Sequence, residues 1–276
     1  VAIQPGEGRL YGWLRAITML GLFGVLTPFF ALGQIVVLAT GIGNRRTLPR
    51  LWHGFIVWML DFRIHVTGAM STERPLFLAG NHVSWTDIMV IGSLAEVNFI
   101  AKQEVKKWAV IGPLSRLQNT VFVDRDRRRK SAEQASEISV RLKAGDPMFL
   151  FAEGSTGDGN LLIPFKSTLF GAASLAVDEG ATERVLIQPV SIAYTRFHGM
   201  PTNRLHRPLV SWIGDRVLMP HIVQLLKEGA VDVELKFGEP VEYRKGVSRK
   251  DVAREVERRV QAMFYESLRE PAKSGR

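Results

Sequence analysis

The sequence predicts an α/β fold, a central mixed sheet flanked by helices, with an N-terminal membrane-embedded two-helix motif. Two observations carry this. From residue 62 onward, apolar runs of strand length alternate with stretches of helical period. Before it, residues 16–44 hold no charged side chain. With 276 residues and 46% apolar content, the chain suffices for one sizeable α/β domain plus an appendage. The expected divisions are 1–61 for a hydrophobic anchor, 62–270 for the α/β domain and 271–276 for a frayed tail.

The uncharged run includes Leu20, Phe23, Leu26, Phe29, Phe30, Ile35 and Leu38. A helix crosses a bilayer in about 20 residues, so its length permits a span. Pro28, Gln34 and interspersed glycines weaken a straight helix. A signal peptide competes, because Ala31-Leu32-Gly33 faintly resembles a cleavage site; the apolar run continuing through Ala39 argues against it. After Arg45, Arg46 and Arg50 comes a second apolar stretch with Trp52, Phe55, Ile56 and Trp58, suited to a headgroup boundary. Residues 10–61 therefore read as two embedded helices, re-entrant or spanning. The alternative is a greasy helix buried on the globular domain.

Along the domain, Phe62, Ile64 and Val66 alternate with polar residues as in a half-buried strand. Residues 76–79 make a buried strand ending at Gly80, and 87–94 a helix. A strand at 97–100 precedes a helix over 102–117, interrupted at Gly112-Pro113. A strand at 120–123 precedes an amphipathic helix over 130–143, closed by Gly145. Strands follow at 148–151, 185–193 and 231–237, with a helix at 169–177. Ser248 and Asp251 open a last helix in the manner of a capping box; it buries Val252, Val256, Val260, Met263 and Phe264.

The net charge of +9 points to an anionic partner: membrane lipid, nucleic acid or an acidic substrate. Only charge speaks for nucleic acid, since no binding motif interleaves the cations with aromatic platforms. The chain has no cysteine, which excludes disulfides, thiolate catalysis and thiolate-bound zinc. The six histidines lack ligand spacing, so no metal site is expected.

The chemistry centres on Gly80-Asn81-His82-Val83-Ser84-Trp85-Thr86-Asp87 and Phe151-Ala152-Glu153-Gly154-Ser155-Thr156. An alcohol is a poor nucleophile until a base takes its proton, and histidine is the usual base near neutral pH. A carboxylate that fixes the imidazole tautomer improves that base. Positions five apart on one helix point about 140° away from each other. His82 and Asp87 meet only if the histidine lies in the loop after the strand and the aspartate on the first helical turn. The bland reading is a helix start with an incidental histidine.

Asn81-His82-x4-Asp87 resembles the signature of the glycerolipid acyltransferase family, which includes the 1-acylglycerol-3-phosphate O-acyltransferases. Lys102-x-Glu104, Gly112 and Phe122-Val123-Asp124-Arg125 are similar to its second block, Phe151 to Ser155 to its third, and Ile187-Gln188-Pro189-Val190 to its fourth. The resemblance implies a glycerolipid acyltransferase-like fold and transfer of a fatty acyl group from acyl-ACP or acyl-CoA to the free hydroxyl of a lysolipid. His82 would deprotonate that hydroxyl and Asp87 would hold His82. Asn81, Lys102, Arg125, Glu153, Gly154 and Ser155 would bind substrate, Lys102 and Arg125 as phosphate contacts. Backbone N–H groups near His82 or Gly154 would face the oxyanion. No cofactor is implied beyond the thioester co-substrate. The implied partners are the lysolipid, the carrier protein or CoA donor, and the bilayer, with no nucleic acid; the implied location is the inner membrane, catalytic domain facing the cytoplasm.

The third block departs from the family's usual Gly-Thr-Arg. Gly154-Ser155-Thr156-Gly157-Asp158 puts a neutral residue where a phosphate-binding arginine belongs. With Pro164-Phe165-Lys166 downstream, this is similar to the branch that acylates lyso-ornithine lipid, and Asp158 and Thr156 would then meet the acceptor, Asp158 through its amine. The alternative within the family is a 1-acyl-sn-glycerol-3-phosphate acyltransferase, with Lys102, Arg125 and Lys166 on the phosphate. From another class, a non-catalytic membrane-attached lipid-binding protein stands as the competitor.

Overall fold

The computed structural model describes residues 7–123, 128–178, 182–214 and 216–272. Its strands are β1 (Phe62–Thr67), β2 (Leu76–Gly80), β3 (Asn98–Lys102), β4 (Val121–Val123), β5 (Met148–Phe151), β6 (Arg184–Phe197), β7 (Met200–Pro201), β8 (Val231–Phe237) and β9 (Val241–Arg244). They form one sheet in the order β1-β8-β6-β2-β5-β3-β4, with β7 and β9 also pairing β6. β6 runs parallel to β2 but antiparallel to β7, β8 and β9, which makes the sheet mixed. β2, β5, β3 and β4 are mutually parallel, so Gly80, Phe151, Lys102 and Val123 all end at one sheet edge. That edge is where α/β sheets place their ligands.

Alternate side chains of each strand feed two cores, one on each face. Leu76, Leu78, Phe149, Phe151, Val190 and Tyr194 pack beneath α1 (Glu7–Thr40), α2 (Thr47–Leu60), α3 (Thr86–Leu94) and α8 (Leu218–Glu228). Phe77, Ala79, Met148, Leu150 and Ile187 pack beneath α5 (Arg128–Lys143), α6 (Gly171–Asp178) and α9 (Arg249–Arg269). The short α4 (Ile111–Leu117) and α7 (Arg207–Val210) flank the edge.

α1 is continuous through Pro28, and its residues Leu10–Thr40 are long and apolar enough to cross a membrane. It is built inside out. Toward the protein it buries Gly12, Ala16, Thr27 and Gln34. Outward it shows Leu14, Ile17, Phe29 and Leu32, each more than half exposed. Contacts with the body span most of its length. The Arg15 guanidinium donates to the Leu226 and Met59 carbonyls. Trp52 Nε1 donates to Thr27 Oγ1 (3.1 Å), and Gln34 Nε2 to the Arg45 and Leu117 carbonyls (2.8 and 3.0 Å). α2 contributes Ile56, Val57, Met59 and Leu60 to the same core as α3.

Several elements differ from expectation. The helix expected over 102–117 is the end of β3, a 3-10 turn (Gln103–Lys107) and α4. Pro113 lies in the first turn of α4, where its missing N–H breaks no helical bond. Ser248 makes no side-chain cap; its carbonyl accepts from Asp251 and Val252 (3.0 and 3.1 Å) instead. Of the tail, Pro271 and Ala272 are tied down by Arg196, and the Ala272 N–H donates to Glu234 (2.7 Å). Residues 273–276 lie outside the described ones.

Candidate active site

Three loops meet at the sheet edge, and the first follows β2. Its strand ends against β6 so closely that a Cβ on Gly80 would lie 2.8 Å from the Val190 carbonyl oxygen. Only glycine fits that approach. Asn81 continues the pairing with its side chain: Nδ2 donates to the Ile192 carbonyl and Oδ1 accepts from the Ile192 N–H, both at 2.9 Å. Asn81 is buried, with its amide engaged by backbone.

His82 and Asp87 then meet across the turn into α3. The Asp87 carboxylate folds back so that Oδ2 accepts from His82 Nδ1 (2.7 Å), the Val83 N–H (2.7 Å) and the Ser84 N–H (3.0 Å). Its Oδ1 accepts from the Tyr194 hydroxyl (2.6 Å), which in turn accepts from Thr86 Oγ1 (2.6 Å). Asp87 is fully buried, a position that demands this many donors. With Nδ1–H committed to the carboxylate, the imidazole lone pair lies on Nε2. The ring lies flat on Phe151 (centroids 3.8 Å apart, 19° between planes) and keeps 18% of its side chain exposed. Burial pushes the Tyr194 hydroxyl well above its usual range, and the Asp87 charge adds to that, so it acts as a neutral donor.

The second loop follows β5. Glu153 Oε2 accepts from the His82 N–H (2.8 Å) and Oε1 from the Ile163 N–H (2.9 Å). The buried carboxyl thus links the histidine's own backbone to the far end of its loop. Burial pushes Glu153 up to about 8; the two N–H donors pull the other way, and the Asp87 and Glu257 charges raise it further. The Gly157 N–H donates to the His82 carbonyl (2.8 Å), which brings Asp158 beside the histidine. Asp158 accepts at Oδ1 from the Asn160 and Leu161 N–H groups (2.8 and 3.2 Å) and at Oδ2 from Asn160 Nδ2 (3.1 Å). Burial alone would raise this carboxyl; the Asn160 and Leu161 bonds outweigh it and hold Asp158 below its ordinary value.

The third loop, around residues 202–214, was not legible in the sequence. The Trp212 N–H donates to the Val83 carbonyl (3.0 Å), and its own carbonyl accepts from Thr156 Oγ1. Thr156 therefore ties the second loop to the third. Trp212 also meets Trp108 edge to face (5.6 Å). Arg207 donates to Asn160 Oδ1 (3.1 Å) and to the Thr202 carbonyl (3.1 Å). Thr202 Oγ1 donates to the Tyr194 carbonyl (3.0 Å), so this loop is indexed to the strand that supplies Asp87's hydroxyl partner.

Of the other expected site residues, Lys102, Ser155 and Lys166 take no part in the side-chain bonds that join these loops among the described residues. Lys102 is exposed at the end of β3 and pairs with Glu104 at 3.6 Å. Ser155 and Lys166 are exposed. Arg125 lies outside the described residues. The His82 and Gly154 N–H groups, expected to face an oxyanion, donate instead to Glu153 and to the Phe151 carbonyl (3.1 Å). Tyr194 had one usable signal: a hydroxyl in a buried apolar strand needs a partner.

Behind Phe151 the wall turns apolar. Phe99 stacks on Phe151 (6.4 Å, 7°) and borders a cavity of about 110 Å³. α1 lines it with Phe30 and Ala31, α2 with Trp52, α3 with Ile88 and Met89, and α4 with Leu114.

Comparisons with known proteins give the family and the fold. The family described as Acyltransferase matches residues 62–193. A lyso-ornithine lipid O-acyltransferase from Brucella abortus is 47% identical, covering 95% of this chain and 96% of that one. One from Rhizobium meliloti is 42% identical, covering 96% and 91%. The fold matches the crystal structure of a 1-acyl-sn-glycerophosphate acyltransferase from Thermotoga maritima, with a TM-score of 0.64 at 21% identity over 98% of this chain and 99% of that one. The chain is an enzyme of the acyltransferase family.

Proposed function

We propose that this enzyme acylates the free hydroxyl of lyso-ornithine lipid, with His82 as the general base. The observation that carries the chemistry is the 2.7 Å bond from His82 Nδ1 to a fully buried Asp87, which leaves Nε2 as the proton acceptor. The acceptor hydroxyl gives its proton to Nε2 as its oxygen attacks the thioester carbonyl. A tetrahedral oxyanion forms; the C–S bond then breaks, and the leaving thiolate takes the proton back from His82. No acyl-enzyme is required, in keeping with a chain that has no cysteine. Asp87 stabilises the imidazolium, and Tyr194 steadies Asp87. Glu153 positions His82 through its backbone.

The acceptor is read from the names of the two near-full-length relatives together with Thr156, which occupies the place of a phosphate-binding arginine. The donor is acyl-ACP or acyl-CoA. Part of its chain lies in the apolar cavity behind Phe151. At about 110 Å³ this cavity is below the roughly 300 Å³ of a whole-ligand pocket, so it takes one segment of a long chain.

The inside-out α1 supports membrane association. Large apolar side chains on its outer face and small or polar ones inside suit a helix whose outer solvent is lipid. Because α1 touches the body from Gly12 to Gln34, we read it as lying in one leaflet with its outer face in lipid, and not as a span leaving the domain behind. The catalytic domain then sits at the cytoplasmic face of the inner membrane.

The test is full-length protein in vesicles with acyl-ACP, offered lyso-ornithine lipid and lysophosphatidate in parallel. Preference for lyso-ornithine lipid is expected; preference for lysophosphatidate overturns the acceptor assignment.

A further inference from the structure

Arg207 and Asp158 are opposite charges held side by side and kept from pairing. Asn160 stands between them: its Nδ2 donates to Asp158 Oδ2 (3.1 Å) and its Oδ1 accepts from Arg207 Nη1 (3.1 Å). No ion pair joins the two charged groups directly, although both are partly buried. Each keeps capacity in reserve. Asp158 Oδ2 has one side-chain donor, Asn160 Nδ2, where a carboxylate oxygen takes two; the residue's own N–H also serves the carboxylate. Arg207 directs its Nε, one Nη1 hydrogen and one Nη2 hydrogen to Thr202 and Asn160, and two of its five N–H groups are left over.

Their position is fixed relative to His82. Gly157, just before Asp158, bonds to the His82 carbonyl. Gly159, just after it, has a φ of +75° and lies so close that a Cβ there would meet Val83 Cγ1 and Ser211 Oγ at 3.3 Å and Arg207 Cβ at 3.6 Å. The two poles therefore border the loop that carries the base. Burial lowers Arg207, the nearby cation Arg204 of the third loop lowers it further, and the Asp158 charge opposes both.

We propose that Arg207 and Asp158 form a two-pole subsite that selects an acceptor with a zwitterionic headgroup, Arg207 taking its carboxylate and Asp158 its ammonium. This rests on the acceptor reading above and extends it, since Arg207 was not among the residues the family pattern supplies. A guanidinium meets a planar carboxylate through two parallel N–H bonds, and an ammonium satisfies an underused carboxylate oxygen. Separating the protein's own charges by an amide keeps each available. The cation lost at Thr156 is thereby replaced from a different loop, beside an anion that a phosphate monoester would find repulsive.

The test uses full-length protein in vesicles, with lyso-ornithine lipid, its carboxyl methyl ester and its N-acetylated amine as acceptors. Wild type should prefer the free zwitterion over either capped lipid by roughly 10- to 100-fold in acceptor kcat/KM, as expected for one charge-assisted contact each. Arg207→Gln should abolish the acid-over-ester preference alone, Asp158→Asn the amine-over-acetyl preference alone, and Arg207→Lys should restore part of the first. Acceptor KM should move while donor KM stays. Each preference is a ratio within one preparation, so a partly unfolded variant still reports it. Equal use of the zwitterion and both capped lipids by wild type overturns the proposal, as does an Arg207→Gln enzyme that keeps its ester discrimination. Failure of the acceptor reading looks different: lyso-ornithine lipid is then not acylated, while lysophosphatidate is.

Discussion

The two sides of Phe151 treat polarity in opposite ways. On the His82 side, Asp87 collects four hydrogen bonds and Glu153 two. On the Phe99 side, Gln34 Oε1 is buried with no hydrogen-bond partner among the described residues, beside a cavity walled mostly by apolar groups. The first side is over-determined and the second under-determined. Proton transfer needs groups fixed to a fraction of an ångström, and each extra bond removes a freedom the reaction cannot use. Holding a hydrocarbon chain needs only apolar surface, which has no direction to satisfy. One stacked aromatic separates the two regimes.

Substitutions on the fixed side should break this contrast most severely. Asp87→Asn turns one acceptor oxygen into a donor facing other donors; kcat for acyl transfer should fall about 10³-fold with little change in donor KM. Retention of a third of wild-type kcat would contradict the role given to Asp87.

Glu153→Gln comes next. Both oxygens of Glu153 accept backbone N–H groups, and an amide can satisfy only one of them. The His82 backbone or the Ile163 end loses its anchor, and activity should fall roughly 10- to 100-fold. Its pH signature has a definite sign. The folded group sits at about 8 against an ordinary 4.5, so its contribution to stability is full below about 4.5 and is lost as pH rises through 8. The Tm of wild type should decline between pH 5 and 9 more steeply than that of Glu153→Gln. Parallel Tm profiles would refute the raised carboxyl.

On the adaptable side the effect should be selective. Ala101→Phe fills the cavity, so rates with long-chain donors should drop about tenfold while short-chain donors are spared. Uniform loss across a donor series would remove the cavity from chain binding. Smallest is Tyr194→Phe, which takes one donor from Asp87 and leaves three; kcat should fall by about tenfold or less. A loss as large as that of Asp87→Asn would make the hydroxyl a primary participant.

What the sequence revealed follows the same division. The first loop was legible because strand, glycine, His82 and Asp87 are consecutive, and the geometry that lets them meet is a single turn. Glu153 was legible because a carboxylate ending an apolar strand must have a purpose. Tyr194 and Arg207 were not, because they reach the site through sheet topology: β6 lies beside β2 although more than a hundred residues separate them. α8 escaped notice although Ile222, Leu225 and Leu226 give it an apolar stripe; Pro220 in its first turn looks like a breaker but removes no helical bond there. Asn81 was legible as a motif residue, but its commitment to the Ile192 backbone was not, since a side chain's partner across a sheet leaves no local trace.

The central claim is that His82 takes the acceptor's proton. Its most direct measurement is acyl transfer by His82→Ala in vesicles, alongside wild type of equal abundance, membrane attachment and Tm. Loss of at least about 10³-fold in kcat, with acceptor binding preserved, is the predicted result. A variant that keeps its fold and works within tenfold of wild type would show that another group takes the proton.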